Sequence, residues 1–576
     1  MPFQQNRKQS RSDAALVGPV NAVRKSLTSR GYAVLMGMHD RIVSAITAGD
    51  AMELGRVLEI NGAVAQVSLD GHMMTLVRKA NGIGAPPGSI GSHVKIRVGN
   101  RWVLGQIRSL RLAQADSDLV LGMIDFVGEG SDVDDRLTNF RRGVTLLPMP
   151  GAALHAVAED ELLTIFAPDE RPHIQVGAVY PSGQVPASLY IDSLLGRHFA
   201  VLGSTGTGKS SATALILHRI CDAAPDGHVV MIDPHGEYAA SFGTKAATFD
   251  VTNLALPYWL MNLEEHAEIL LNSRGADYQT DRDVLAKCIL AARAKHRGAE
   301  GMSRLTVDSP TPYLLSDLGA ILSAEMGKLD KGGIGAAPYM RIKARFEEIK
   351  ADPRYSFMFS GMMAGDTMAE VLAKLLRLPG DGKPLSIIDL SGVPSEVTAV
   401  VVALIARLLF DHAVWSRGDE QHPVLLVCEE AHRYIPAVDH APARAVLERI
   451  AKEGRKYGIS LGLVTQRPCD LAEGVLSQCG TIIAMRLNNE RDQAHVRSAV
   501  PEGARGLIEA IPALRNREAI MVGEGVPIPI RISFDPLDQS QLPASHDPIY
   551  SEAWKRTGGE RNQLERTIKR WRSQGR

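Results

Sequence analysis

The chain has 576 residues, 45% hydrophobic and 22% charged, with 64 Lys and Arg against 65 Asp and Glu. That length allows roughly two to four domains, and the neutral balance excludes a protein that coats DNA by bulk positive charge, though not one that focuses a local excess inside a ring. No apolar run approaches the ~20 uninterrupted residues of a membrane span, and no signal-peptide segment opens the chain, so a cytoplasmic protein without a membrane partner is expected.

Residues 1–50 read as a basic arm, with Arg7, Lys8, Arg11, Arg24, Lys25 and Arg30 against Asp13. A solvated arm is the expectation for it, ahead of DNA or partner contact. From 51 to 170 the pattern is short strands punctuated by glycine: Gly55 to Ile60, Ala63 to Ser68, Val94 to Val98 and Trp102 to Ile107, with a loop over Gly82 to Gly91. This predicts a small β-barrel, read as an assembly module because no aromatic ladder for nucleic acid is visible.

From 171 to 259, and again from 381 to 540, strands alternate with helices, which predicts an α/β core built on a parallel sheet. Its predicted strands are His198 to Leu202, Val229 to Asp233, Leu385 to Asp389, Val424 to Val427, Ser460 to Val464 and Thr481 to Met485. Helical periodicity such as Ala267 to Leu271 and Val284 to Ala291 fills the interval 260–380, read as an inserted helical subdomain. A hairpin is expected from Ala519–Val522 to Pro527–Ser533. Residues 541–576 form a basic tail in which Leu564, Ile568 and Trp571 fall on one helical stripe, suited to docking on the core or on a neighbouring subunit. The five cysteines, Cys221, Cys288, Cys428, Cys469 and Cys479, form no CxxC pair and read as small buried residues rather than zinc ligands or disulfides.

The run Gly203, Ser204, Thr205, Gly206, Thr207, Gly208, Lys209, Ser210, Ser211 follows one of these strands and opens a helix. It is a phosphate-binding loop in context: glycines permit positive φ, successive N–H groups and the helix N-terminus surround a phosphate, Lys209 supplies a point charge and Ser210 a magnesium ligand. The strand Val424 to Cys428 delivers Glu429 and Glu430 at its C-terminal end. There the first carboxylate would hold Mg²⁺ through water and the second would polarise the attacking water. A site for ATP and Mg²⁺ is therefore expected.

Together with Asp233-Pro-His-Gly-Glu-Tyr238, Glu429-Glu-Ala-His432, Glu453-Gly-Arg-Lys-Tyr-Gly458 and Thr465-Gln-Arg-Pro468, this loop resembles the HerA family of hexameric DNA translocases. The resemblance covers about 174–535 strongly and the barrel more weakly. It implies a P-loop NTPase core of RecA-like fold, a homohexamer with ATP between subunits, double-stranded DNA as partner, and a separate effector such as a nuclease or a sirtuin-like NAD-consuming enzyme. Carried over by position, Glu430 is the catalytic base, Gln466 the γ-phosphate sensor and Arg455 the arginine finger, with Arg449 and Arg486 as rivals. Arg455 would lie near the end of a helix from Pro442 to Lys456, with Gly458 as its cap. Glu429 stands where the family often has Asp, which lengthens the metal ligand by a methylene. Asp233 and Glu237 either couple nucleotide state to DNA or serve as turn and capping residues. His235 and His432 have no metal-ligand spacing.

The resulting expectation is an ATP-driven DNA translocase working with an effector in antiphage defence. A nucleotide-gated scaffold for the effector and end resection with a nuclease are the alternatives, and a membrane-anchored coupling ATPase is the weakest reading.

Overall fold

Alternation builds the first unit. In β2 (Val64–Asp70) every second residue, Ala65, Val67 and Leu69, is buried, whereas β1 (Glu53–Asn61) buries Leu54 and Val57 and is irregular in register after Val57. With β3 (His93–Val98), β4 (Arg101–Leu112), β5 (Leu119–Val133) and β7 (Ala153–Ala156) they form an antiparallel ring, order β2-β1-β7-β3-β4-β5, closed by β5 pairing back onto β2. The polar strand β6 (Arg136–Arg142) is appended to β5. The described structure, a computed structural model, comprises residues 52–71, 90–114, 119–180, 183–271, 275–296, 304–327, 335–360, 363–438, 441–544, 550–555 and 561–573. The expected basic arm and most of the expected loop at 82–91 lie outside these residues.

The chain divides into two compact units at Thr164/Ile165. Within the first, Lys95 is buried and donates to Glu161 Oε1 at 2.6 Å, and Glu161 also accepts from the amides of Leu137 and Ala158 at 2.7 and 2.8 Å. Both side chains are almost fully removed from solvent, so removing one strands the other. Glu161→Ala is expected to cost this unit about 3–5 kcal/mol in urea unfolding of the full chain. Combining Lys95→Met with Glu161→Leu should recover only part of that, because the two amides stay unpaired.

The second unit is organised on an eleven-stranded sheet. Its strands are β8 (His173–Val179), β9 (Pro186–Tyr190), β10 (Phe199–Leu202), β11 (His228–Asp233), β12 (Ala246–Phe249), β13 (Leu385–Asp389), β14 (Val424–Cys428), β15 (Ile459–Thr465), β16 (Thr481–Met485), β17 (Glu518–Gly523) and β18 (Ile530–Phe534). They lie in the order β12-β13-β11-β14-β15-β10-β16-β17-β18-β8-β9. All the expected parallel strands are present, close to their expected ends. The sheet as a whole is mixed: the expected parallel core is extended by antiparallel strands, among them the expected hairpin, β17 and β18. From β12 to β16 neighbours run parallel, whereas β17, β18, β8 and β9 add antiparallel. The turns joining β17 to β18 and β8 to β9 are too short for a crossover, so they can only reverse the chain.

The strongly apolar helix Ser395–Trp415 has a mean hydropathy of 1.9 in its most apolar window and is long enough to cross a membrane. It is instead a core helix: 72% of that window is buried within the protein, among residues such as Leu404, Leu408 and Phe410. The helices Leu263–Leu270, Tyr278–Ala294, Leu315–Gly327, Ala337–Ala351 and Met368–Leu376 lie between β12 and β13 in the chain. Their buried residues, including Leu285, Leu322, Ile342 and Leu375, belong to the same apolar cluster as those of the sheet. The C-terminal helix Arg561–Ser573 forms where its stripe predicts. Leu564 and Trp571 remain 64% and 79% exposed, so the stripe does not dock on the chain's own core. Cys221, Cys288 and Cys428 are buried, and Cys469 and Cys479 are partly so.

Candidate functional site

Parallel register brings one set of strand ends together. Leu202 pairs with Thr465, Cys428 with Leu463 and Ile232 with Cys428, so the loops after β10, β15, β14 and β11 emerge along a common edge. Strand β15 lies between β10 and β14 and sets Gln466 between the glycine loop and the acidic pair. This is the ligand-binding edge of an open α/β sheet.

The loop after β10 turns through Gly206 and Gly208, both at positive φ (+77° and +95°), into the 15-residue helix Lys209–Ala223. A side chain at Gly203 would lie 2.9 Å from Met485 Cβ, so glycine is required there by contact. Neighbouring segments hold the loop open. Ser204 N–H donates to Arg486 O at 2.9 Å, the Thr207 hydroxyl to Ser204 O at 2.7 Å, and the Asn488 amide to Ser204 Oγ at 3.1 Å. The remaining loop amides and the helix N-terminus form a concave set of donors suited to a phosphate.

Lys209, at the first turn of that helix, is buried and donates to Glu429 Oε1 at 2.8 Å. Burial opposes its charge, but the carboxylates of Glu429, Glu430 and Glu237 outweigh burial and hold the ammonium above its ordinary range. The other oxygen of Glu429 accepts from the Tyr238 hydroxyl at 3.0 Å. Tyr238 is fully buried, and burial, followed by the charge of Glu429, pushes its phenol well above the usual value, so it acts as a donor.

Glu430 is the strained member. Its backbone is left-handed (φ +52°, ψ +44°), a conformation costing a non-glycine residue about 1–2 kcal/mol. Its Oε2 is buried without a hydrogen-bond partner. His432 Nδ1 lies 3.2 Å from that oxygen, yet its hydrogen-bonding contact is Thr465 Oγ1 at 3.0 Å. Burial lowers the His432 pKa and keeps the ring neutral, so the pair is no salt bridge. Burial chiefly, against the opposing charge of Lys209, raises the Glu430 carboxyl above the ordinary glutamate range. A raised, under-bonded carboxylate on a strained corner is the arrangement of a general base. The donor set also fits a hard divalent cation: the Ser210 hydroxyl and the Glu429 carboxylate would hold magnesium, which when bound would withdraw charge from the reacting phosphoryl oxygens.

Residues 174–409 match the family model described as the central domain of helicase HerA. The chain is 26% identical over 411 residues to the DNA double-strand break repair helicase HerA of Pyrococcus furiosus, covering 66% of this chain and 72% of that protein. It is 26% identical over 483 residues to a probable repair helicase HerA of Methanocaldococcus jannaschii, covering 77% and 90%. Among solved structures, VirB4 of Thermoanaerobacter pseudethanolicus aligns at a TM-score of 0.47 and 13% identity, over 65% of this chain and 99% of that one. The chain is similar to the HerA helicases over most of its length, and its residues 174–409 match their central domain. It is an ATPase of the helicase class.

The remaining HerA positions fall at the same edge or beside it. The Gln466 side chain, directly after β15, accepts a hydrogen bond from the Thr205 hydroxyl of the glycine loop. Both line an open cleft of about 680 Å³ together with Ser204, Arg467, Asn489 and Arg491. The helix expected from Pro442 to Lys456 ends at Glu453, and a 3₁₀ turn, Gly454–Tyr457, carries Arg455. Glycine is required at Gly454 by close approach, because a Cβ there would lie 2.4 Å from Ile459 O. Gly458 then closes the turn at φ +78°. Arg455 is exposed, and its side chain has no hydrogen-bond or ion-pair partner among the described residues. The rivals are engaged: Arg449 lies over the Phe410 ring and beside Glu453, and Arg486 donates to Leu514 O and Asn516 Oδ1.

Asp233 is a turn residue by geometry. Its carboxylate accepts from the amides of His235, Gly236 and Tyr238 at 3.2, 2.9 and 3.0 Å, which fixes the loop carrying Glu237 and Tyr238. Sequence reasoning assigns no role to Tyr238 or to Arg517. Arg517, at φ +66°, donates its amide to Thr207 O at 3.1 Å and so clamps the glycine loop to the start of β17. Motif membership is the one sequence signal for Tyr238, and nothing local marks Arg517.

Proposed function

We propose that this chain assembles with copies of itself into a ring, most simply a homohexamer, and spends ATP hydrolysis at the Lys209, Glu429 and Glu430 edge on moving along double-stranded DNA. The observation that carries the reading is the buried, unpartnered Glu430 Oε2 beside the Lys209–Glu429 pair. It supplies a base poised for water attack next to a cradle for the β- and γ-phosphates. ATP and Mg²⁺ are the ligands this edge takes, with Lys209 as point charge, Ser210 and Glu429 as metal ligands, Gln466 placed to sense the γ-phosphate and Arg455 offered to a neighbouring site. The names of the related proteins, double-strand break repair helicases, favour end processing with a partner nuclease as the setting. The Glu429-Glu-Ala-His432 form favours an antiphage system with a nuclease or a sirtuin-like NAD-consuming effector in the cytoplasm.

The test is turnover with and without linear duplex. Addition of duplex DNA is expected to raise ATP turnover severalfold and to drive displacement of a triplex strand, and Lys209→Ala should abolish both by removing the charge that opposes the phosphates. Turnover indifferent to DNA, with effector function intact in a hydrolysis-dead ring, would sink the motor in favour of the scaffold.

A further inference from the structure

We infer that Tyr238 is a positioning residue of the magnesium centre, holding Glu429 in the orientation from which it receives the metal and tying that centre to the loop after β11. The inference deepens the proposed ATPase site and rests on it. Two observations carry it. The Tyr238 hydroxyl donates to Glu429 Oε2 at 3.0 Å while Lys209 takes Oε1 at 2.8 Å, so both oxygens of that carboxylate are fixed from opposite sides.

The second observation is the rigidity of the loop. Asp233 gathers three amides of 235–238, and on the other side Ala544 N–H donates to Glu237 O at 2.8 Å, so Tyr238 is mounted on a segment held at both ends. Glu429 needs such a brace more than an aspartate would. Its extra methylene adds a rotatable bond, and an unbraced glutamate would spread its carboxylate over several rotamers, only some of which face Ser210. A phenol that donates to the outer oxygen selects one of them. No role in phosphate contact is required of the ring, which is fully buried.

The experiment is a magnesium titration of nucleotide binding, using a fluorescent ATP analogue with the full-length protein and its Tyr238→Phe variant, alongside the same binding in EDTA. Tyr238→Phe keeps the buried ring and removes only the hydroxyl. Its magnesium midpoint should move up roughly tenfold, the scale on which outer-shell partners act. Binding in EDTA and the melting curve should stay close to those of the unaltered protein, and saturating magnesium should restore part of the turnover. An unshifted midpoint, or equal loss of binding with and without magnesium, overturns the inference and reduces Tyr238 to a core residue. Absence of magnesium-dependent binding in the unaltered protein overturns the site reading and the inference together, so the two failures are distinct.

Discussion

Glu430→Gln is expected to bind ATP as tightly as the unaltered chain while hydrolysing it about 10²- to 10⁴-fold more slowly, the usual contribution of a positioned base. The amide keeps the volume and the left-handed backbone but has no lone pair basic enough to take a proton from water. The pH profile should carry the same signature. Burial raises the Glu430 carboxyl in the folded chain, so turnover should fall on the acid side at a pH above that of an ordinary glutamate. The stability sign is opposite to that of a salt-bridged carboxylate. A raised folded value stabilises the fold only while the group is protonated, and that gain is lost as pH rises through it. At neutral pH the ionised Glu430 is thus a net cost, and the Gln variant should melt above the parent in a thermal scan. A Gln variant that turns over ATP at the parental rate would move the base to Glu429.

The parts of this site that lie close together in the chain are legible in the sequence. The glycine loop runs directly into its helix, and its chemistry follows from residue order. The parallel strands are legible because each is a short apolar run bounded by turns. What escapes is non-local or disguised. Strand β5, which is not among the expected strands, carries Gly122, Gly128 and Gly130, and a Cβ on Gly128 would lie 2.3 Å from Arg141 O, so glycine is demanded by close strand approach. The antiparallel half of the sheet joins β18 to β8 between residues such as Ile532 and Val179, a pairing no local pattern encodes. Tyr238 and Glu429 lie 191 residues apart, so their contact exists only once β11 and β14 are neighbours. Ser395–Trp415 is interrupted by Glu396, Arg407 and Asp411 and so reads as no membrane span, yet its length and mean hydropathy would suit one, and its packing makes it a core helix.

Arg455→Ala is expected to bind ATP and assemble normally, yet to lose about 10³- to 10⁵-fold in turnover, the scale of an arginine finger. The argument is one of availability. Arg449 is occupied by Phe410 and Glu453, and Arg486 by Leu514 and Asn516. Arg455 rides on a turn held between Gly454, which has no room for a side chain, and Gly458, so its backbone is fixed while its guanidinium stands in solvent. A planar cation with five donors, held out unpaired, suits charge spread over phosphoryl oxygens, and placing it on the neighbouring subunit makes hydrolysis depend on assembly. The decisive measurement is complementation. Lys209→Ala and Arg455→Ala subunits are each inactive alone. On random mixing about one interface in four pairs an intact Lys209 with an intact Arg455 from the next subunit, because a head-to-tail contact uses different faces of each copy. Turnover should therefore reappear in mixed rings at a fraction of the parental rate. A cis role predicts no recovery at any ratio, since no chain in the mixture carries both groups.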